Sequence, residues 1–192
     1  MIRQRRRHER AISSGFVILL VIGMAACSGN GEREEADEIL QQGLEAQAAG
    51  DLATAEDAYL RVIQLDPQNK FAYYNLGVIE QSRGELPAAE SHYRTTLGLD
   101  PDFVPALFNL AILRTEPGAD EAVTLYEHLI ELDPSHAAAH LNLGFLLIEQ
   151  GHERRGQKEL DEAVRLDPTL EGRIDPETPA EAPVSESPSA TP

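Results

Sequence analysis

The tripeptide Leu-Asp-Pro returns four times, with prolines at Pro67, Pro101, Pro134 and Pro168 and steps of 34, 33 and 34 residues. A fixed period of this size marks a stack of identical supersecondary units, each burying its apolar face on its neighbour. Four units exceed the roughly three that such a stack needs for stability. The stack accounts for most of the 192 residues and leaves room for one domain.

Other columns keep the same time. Glycines stand at Gly50, Gly84, Gly118 and Gly151. Small residues stand at Gly43, Gly77, Ala111 and Gly144, and again at Ala55, Ala89, Ala122 and Gly156. Bulky residues stand at Tyr59, Tyr93, Tyr126 and Leu160. The Gly50 column follows one apolar-periodic run and precedes another, where a left-handed helix stop favours a residue without Cβ. The two small columns are expected where helices cross closely, and the Tyr59 column is read as a knob for the groove of the next unit. Each Leu-Asp-Pro proline ends a second helix. Apolar residues return every three or four positions in Tyr73-Tyr74-Leu76-Gly77-Val78 and in Leu107-Phe108-Leu110-Ala111-Ile112. The pattern predicts an all-α solenoid with two helices of roughly thirteen residues per unit. Pro87 and Pro105 fit the first turns of their helices.

On Tyr73, Leu76, Gly77, Ala89, Tyr93 and Pro101 the chain resembles the tetratricopeptide repeat (TPR) family. The resemblance covers residues 36–170, as units 36–69, 70–103, 104–136 and 137–170. Gln42 departs from the family pattern in the first unit, as do Gly156 and Leu160 in the last. The third unit has lost one residue between Gly118 and Ala122, which predicts a tighter turn.

The resemblance implies a protein-binding scaffold whose first helices line a concave groove. By helical spacing the inward side chains are Leu40, Leu44, Phe71, Tyr74, Val78, Phe108, Ile112, Leu141, Phe145 and Ile148. A continuous exposed apolar stripe suits an amphipathic helix or an extended peptide; core packing is the competing reading for any one of them. Asn75, Asn109 and Asn142 recur at one position of the last three units. Each is either a clamp for a peptide backbone or a consensus residue bonding locally. The carboxylate clamp of chaperone-binding repeats is rejected. Its two Lys, two Asn and Arg fall on Leu40, Leu44, Asn75, Pro105 and Asn109, and the neighbouring frame fits no better.

Residues 1–26 read as a signal peptide, with five Arg ahead of the apolar run Phe16 to Ala26. That run is short against the roughly 20 residues of a spanning helix. Met24-Ala25-Ala26-Cys27 resembles a bacterial lipobox, although the family prefers Leu where Met24 stands. The resemblance implies cleavage before Cys27 and a diacylglyceryl thioether on it, with palmitate-type chains that anchor the protein. An ordinary signal peptide or an uncleaved anchor is the alternative. A twin-arginine export signal is disfavoured, because His8 and Glu9 stand where it needs apolar residues. Ser28, with no Asp beside it, favours the outer membrane facing the periplasm in a Gram-negative envelope; otherwise the outer face of the cell membrane is implied. Residues 27–35 are expected to be a short linker, and the acids from Glu32 to Glu38 to open the first helix. Residues 171–192 hold five prolines among Glu, Ala, Ser and Thr and are expected to be a disordered tail.

Residues 1–26 carry five Arg and one Glu, so the remainder holds 11 Lys and Arg against 32 Asp and Glu, net −21. Such a surface repels nucleic acid. No phosphate loop, nucleophile elbow or His-Glu-x-x-His occurs, so no enzyme, cofactor or small-molecule substrate is indicated. His136 and His140 lie four apart but lack a third ligand, and no metal site is assigned. The expected function is that of an envelope scaffold or adaptor. A pilotin-like assembly factor for a type IV pilus or secretin is the alternative.

Overall fold

A computed structural model describes residues 15–116 and 119–174, with side chains from residue 31 onward. The arginine-rich start of the expected signal peptide, Gly118 and the tail from residue 175 lie outside the described residues. Eight helices form four antiparallel pairs: α1 Gly15–Ala48 with α2 Leu52–Leu65, α3 Lys70–Ser82 with α4 Leu86–Leu99, α5 Val104–Arg114 with α6 Ala119–Leu132, and α7 Ala137–Glu149 with α8 Glu153–Leu166. A 3-10 turn, Pro168–Leu170, and a one-turn helix, α9 Glu171–Ile174, follow. The all-α repeat solenoid read from the periodicity is the observed architecture. Among the described residues no helix is long and apolar enough to cross a membrane.

The turns within units use the expected glycines. Gly50, Gly84 and Gly151 have φ of 80°, 77° and 81°. In each, the following amide reaches back five residues, as Asp51 N–H does to the Ala46 carbonyl at 2.9 Å, closing a Schellman motif. Pro87 and Pro105 stand in the first turns of α4 and α5. The tighter turn expected in the third unit is not found: its first helix has 11 residues, against 13 in α3 and in α7, and the span from α5 to α6 is longer than that from α3 to α4.

The turns between units show why aspartate accompanies the proline. The residue before Pro is driven to extended backbone, and Asp66, Asp100, Asp133 and Asp167 have ψ of 89° to 97° or close the preceding helix in the same way. From there each carboxylate accepts the amide two residues on: Gln68 at 3.1 Å, Asp102 at 3.2 Å, Ser135 at 3.0 Å and Thr169 at 3.0 Å. The proline supplies a fixed φ, and the aspartate carboxylate gives the turn's amide an acceptor.

Small and bulky columns mate within one unit. A Cβ on Gly43 would lie 2.7 Å from Tyr59 Cε1, and one on Gly77 would lie 2.7 Å from Tyr93 Cε1. The Tyr59 column is therefore seated on its own unit's first helix, and its members also border the next unit, as Tyr93 does at Ala106 and Leu110. In the last unit the pair is closer still. A Cβ on Gly156 would stand 2.6 Å from the Gly144 carbonyl oxygen and 3.1 Å from the Ile148 amide nitrogen. This explains why Gly156 departs from alanine: backbone faces backbone, and neither can yield. Gly156→Ala, a change toward the repeat consensus, should lower stability by about 1–3 kcal/mol, outweighing the roughly 1 kcal/mol of helix propensity it gains. Denaturant unfolding of the two chains checks the sign.

Two boundaries differ from expectation. Helical backbone runs through Cys27 and the whole 27–35 segment as part of α1, and the strong helix formers there are Glu32, Arg33, Glu34 and Glu35. The acids from Glu32 to Glu38 accordingly lie well inside α1 and not in its first turn. At the other end residues 171–174 are helical, and Leu170 and Ile174 pack on Leu141, Leu160 and Ala163.

Candidate functional site: the first-helix stripe

The structure divides the predicted stripe. Leu40, Tyr74, Phe108 and Leu141 are each only 1% exposed, and Leu44 is buried as well. Leu40 and Leu44 join Ala72, Leu76 and Ile79 of the next first helix. Tyr74 meets Phe103 edge-on at 5.3 Å and packs with Ala106 and Leu110. Phe108 lies 4.9 Å from the His136 ring and shares a cluster with Ala139 and Leu143. Leu141 is covered by Leu170 and Ile174. This column is the knob between units, a role the sequence reading gave to the Tyr59 column. It is not available as a free binding surface. In the last unit α9 stands where a fifth first helix would begin and supplies the cover.

Five stripe residues keep accessible surface. Phe71, Val78 and Ile112 are half-buried. Phe145 and Ile148 are each 37% exposed, among the most open large apolar side chains described. Ile148 also lines a surface cavity of about 420 Å³ with Glu153, Arg154 and Gln157. Phe71 is partly shielded: its ring packs edge-on against Phe103 at 5.7 Å, and the Lys70 ammonium sits 5.1 Å from both ring centres. Within the first-helix stripe the open apolar surface is thus mainly on α7, while Leu60, Leu86, Leu99 and Leu132 are open on the second helices.

The asparagines face inward to the protein. Asn75 is fully buried and its amide donates to the Phe71 carbonyl at 2.9 Å. Asn109 donates to the phenol oxygens of Tyr74 and Tyr93 at 3.2 and 3.4 Å. Asn142 donates to the Tyr126 phenol at 3.3 Å. Asn109 and Asn142 therefore tie their unit to the one before. A peptide clamp is excluded for these three by burial, and a purely local role holds only for the Asn75 contact. Tyr59, Tyr93 and Tyr126 have phenols pushed far above their ordinary range by burial, so they remain neutral hydrogen-bonding groups. Tyr59 and Tyr93 donate to Gln47 and Gln81 at 2.7 Å each.

One feature lay beyond the sequence reading. Glu121 bridges Arg94 at 2.8 Å and Arg114 at 2.7 Å, and Glu90 accepts from Arg94 at 2.9 Å. The network spans α4, α5 and α6 at the shortened unit. Opposite charges spaced 27 residues apart, as in Arg94 and Glu121, were its only trace in sequence. Being partly solvated, each pair contributes roughly 0–1 kcal/mol. Among the described residues no group of three or more His, Cys, Asp or Glu is placed to hold a metal ion. His136 uses Nδ1 to accept the Ala139 amide as the cap of α7.

Solved structures share this architecture. One is a structure of MamA: TM-score 0.63, 21% identity, covering 70% of this chain and 79% of that one. A tetratricopeptide repeat protein from Parabacteroides merdae matches at TM-score 0.63 and 24% identity, covering 70% and 54%. The pilF structure from Pseudomonas aeruginosa matches at TM-score 0.62 and 23% identity, covering 72% and 64%. At such identities the likeness establishes the fold alone. No curated protein matches the chain by sequence. The fold is consistent with a protein–protein interaction scaffold. The family model described as the cilia and flagella-associated protein 70 middle TPR-like domain matches residues 39–167, nearly the whole stack, and the chain belongs to this TPR-like family.

Proposed function

We propose that this protein is a lipid-anchored scaffold of a bacterial cell envelope that binds a protein segment along the open part of its first-helix stripe. The observation that carries the binding half is the exposure of Phe145 and Ile148 on α7, with the half-buried Val78 and Ile112 at the matching face of α3 and α5. The anchoring half rests on the lipobox-like Met24-Ala25-Ala26-Cys27 behind an arginine-rich, apolar leader. Cleavage before Cys27 would also place Glu32, Glu34 and Glu35 near the new start of α1, where acids favour the helix dipole. Phe145 and Ile148 have roughly a third of their surface left to bury, so each offers about 0.5–1 kcal/mol. That is too little for tight binding after association costs. A partner confined to the same membrane meets a raised effective concentration, which makes such a weak surface useful. The second reading, a pilotin-like assembly factor, draws on the same anchor and on the fold likeness to the pilF structure.

The test is capture of membrane partners by the full chain and by Val78→Glu plus Phe145→Glu. These positions are partly solvated, so the double variant should melt within a few degrees of wild type while losing its partners. Retention of the same partners by a folded double variant would sink the binding half. Labelled palmitate incorporated into wild type but not into Cys27→Ala is the expected result for the anchor, and labelling of both chains contradicts it.

A further inference from the structure

Each first helix carries a knob that the next first helix receives. Leu40 clusters with Ala72, Leu76 and Ile79. Tyr74 clusters with Ala106 and Leu110, with Leu113 packed beside them, and Phe108 with Ala139, Leu143 and Leu146. The receiving face repeats as a small residue, an apolar one four positions on, and another three further, all on one side of a helix. Leu141 is the fourth knob. Among the described residues no full first helix follows it, and Leu170 and Ile174 cover it instead.

That cover is incomplete. One period after the buried Ala139 stands Arg173, in place of the small residue. No residue of α9 is buried, and its four residues are far fewer than a helix needs to hold by itself. Between α9 and α8 lies a cavity of about 670 Å³, lined in part by Leu160, Val164 and Ile174. The edge of α8 keeps its apolar identity. Val164 stands where Ile63, Leu97 and Ile130 stand in the earlier units, and each of those packs in the cluster formed with the next unit. The opposite end of the stack is finished differently. One period before Ala72, Leu76 and Ile79, α1 carries Glu38, Gln42 and Glu45, all exposed. A second copy's α1 could therefore seat on the Leu141 edge only by burying carboxylates. We propose that this edge receives a helix of another protein, one bearing the small-x3-apolar-x2-apolar face of the chain's own first helices, and that α9 is the placeholder it displaces. Nothing in it depends on the exposure of Phe145 and Ile148, so neither reading stands or falls with the other.

The probe is a peptide copying Lys70–Ser82, held helical by a side-chain crosslink because an isolated helix of that length is marginal. Its control carries Gln and Glu at the places copied from Leu76 and Ile79, as α1 does. Methyl spectra of the full chain should shift at Leu141, Leu160, Val164 and Ile174 with the first peptide, and the control should bind at least about tenfold more weakly. Val164→Glu in the full chain should weaken the first peptide by roughly the same factor. Val164 is half-buried, so that variant should stay folded; the peptide pair gives its reading even if it does not. No shift, equal binding of the two peptides, or shifts confined to Val78, Ile112 and Ile148 on the stripe overturn the proposal. So does self-association of the chain that Val164→Glu abolishes, which would make a second copy the occupant.

Discussion

Tyr93→Ala should cost about 3–5 kcal/mol, the range for removing a fully buried aromatic side chain. Tyr93 is wholly buried, and three things depend on it. Its ring fills the space that Gly77 leaves open, with Cε1 2.7 Å from where a Cβ would be. Its hydroxyl donates to Gln81 at 2.7 Å. Its oxygen also receives Asn109 from the following unit at 3.4 Å. The loss should therefore spread to the third unit, because stability in a stack is carried by neighbouring contacts. Denaturant unfolding and amide exchange of α3 to α5 check the size and the spread. Tyr93→Phe keeps the ring and should cost nearer 1 kcal/mol. A double-mutant cycle isolates the mating itself. Gly77→Ala should destabilise wild type but be neutral or stabilising once Tyr93 is alanine, since the obstacle is gone and helix propensity improves.

Ala89→Leu should have the second largest effect. Ala89 is wholly buried on α4, in the column Ala55, Ala89, Ala122 and Gly156 where the two helices of each unit cross. Leucine adds three carbons at a position that is already wholly enclosed. The cost should reach about 3 kcal/mol, the upper end of overpacking, and should unfold the second unit first. A melting curve unchanged by this substitution contradicts close packing at the crossing. Leu60→Ala on the neighbouring α2, where the side chain is 45% exposed, is the control and should stay within about 0.5 kcal/mol of wild type.

The period, the two helices per unit and the glycine stops were legible because each is a local property of the chain. Gly50, Gly84 and Gly151 needed only their own backbone to announce themselves. The aspartates of Leu-Asp-Pro were equally local, yet proline masked them, since it already explains a helix end. The stripe was harder. A period of 3.6 says that Leu40, Tyr74, Phe108 and Leu141 share a face, but not whether that face meets solvent or the next unit. The answer depends on contacts with residues far along the chain, such as Tyr74 on Phe103 and Ala106. Asn109 and Asn142 failed for the same reason, because the phenols they bind belong to another unit. Composition misplaced the 27–35 and 171–174 boundaries. It registers glycine, serine and proline but not the helix they can join, or the apolar contact that Ile174 makes with the last unit.

This division has a practical consequence. Tyr74→Glu or Phe108→Glu places a charge in the core and reports on folding, whatever the partner. Binding along the stripe has to be read from its open side chains, Phe145 and Ile148, with the half-buried Val78 and Ile112.

Site-specific photo-crosslinking of the full chain in the cell that makes it is therefore the most direct measurement. A photoreactive aromatic residue is placed singly at Phe145, at Ile148 and at Leu60 on α2. Partner adducts should form from positions 145 and 148 and not from 60. Adducts from 60 with none from 145 and 148 would contradict the account and move the binding surface to the second helices.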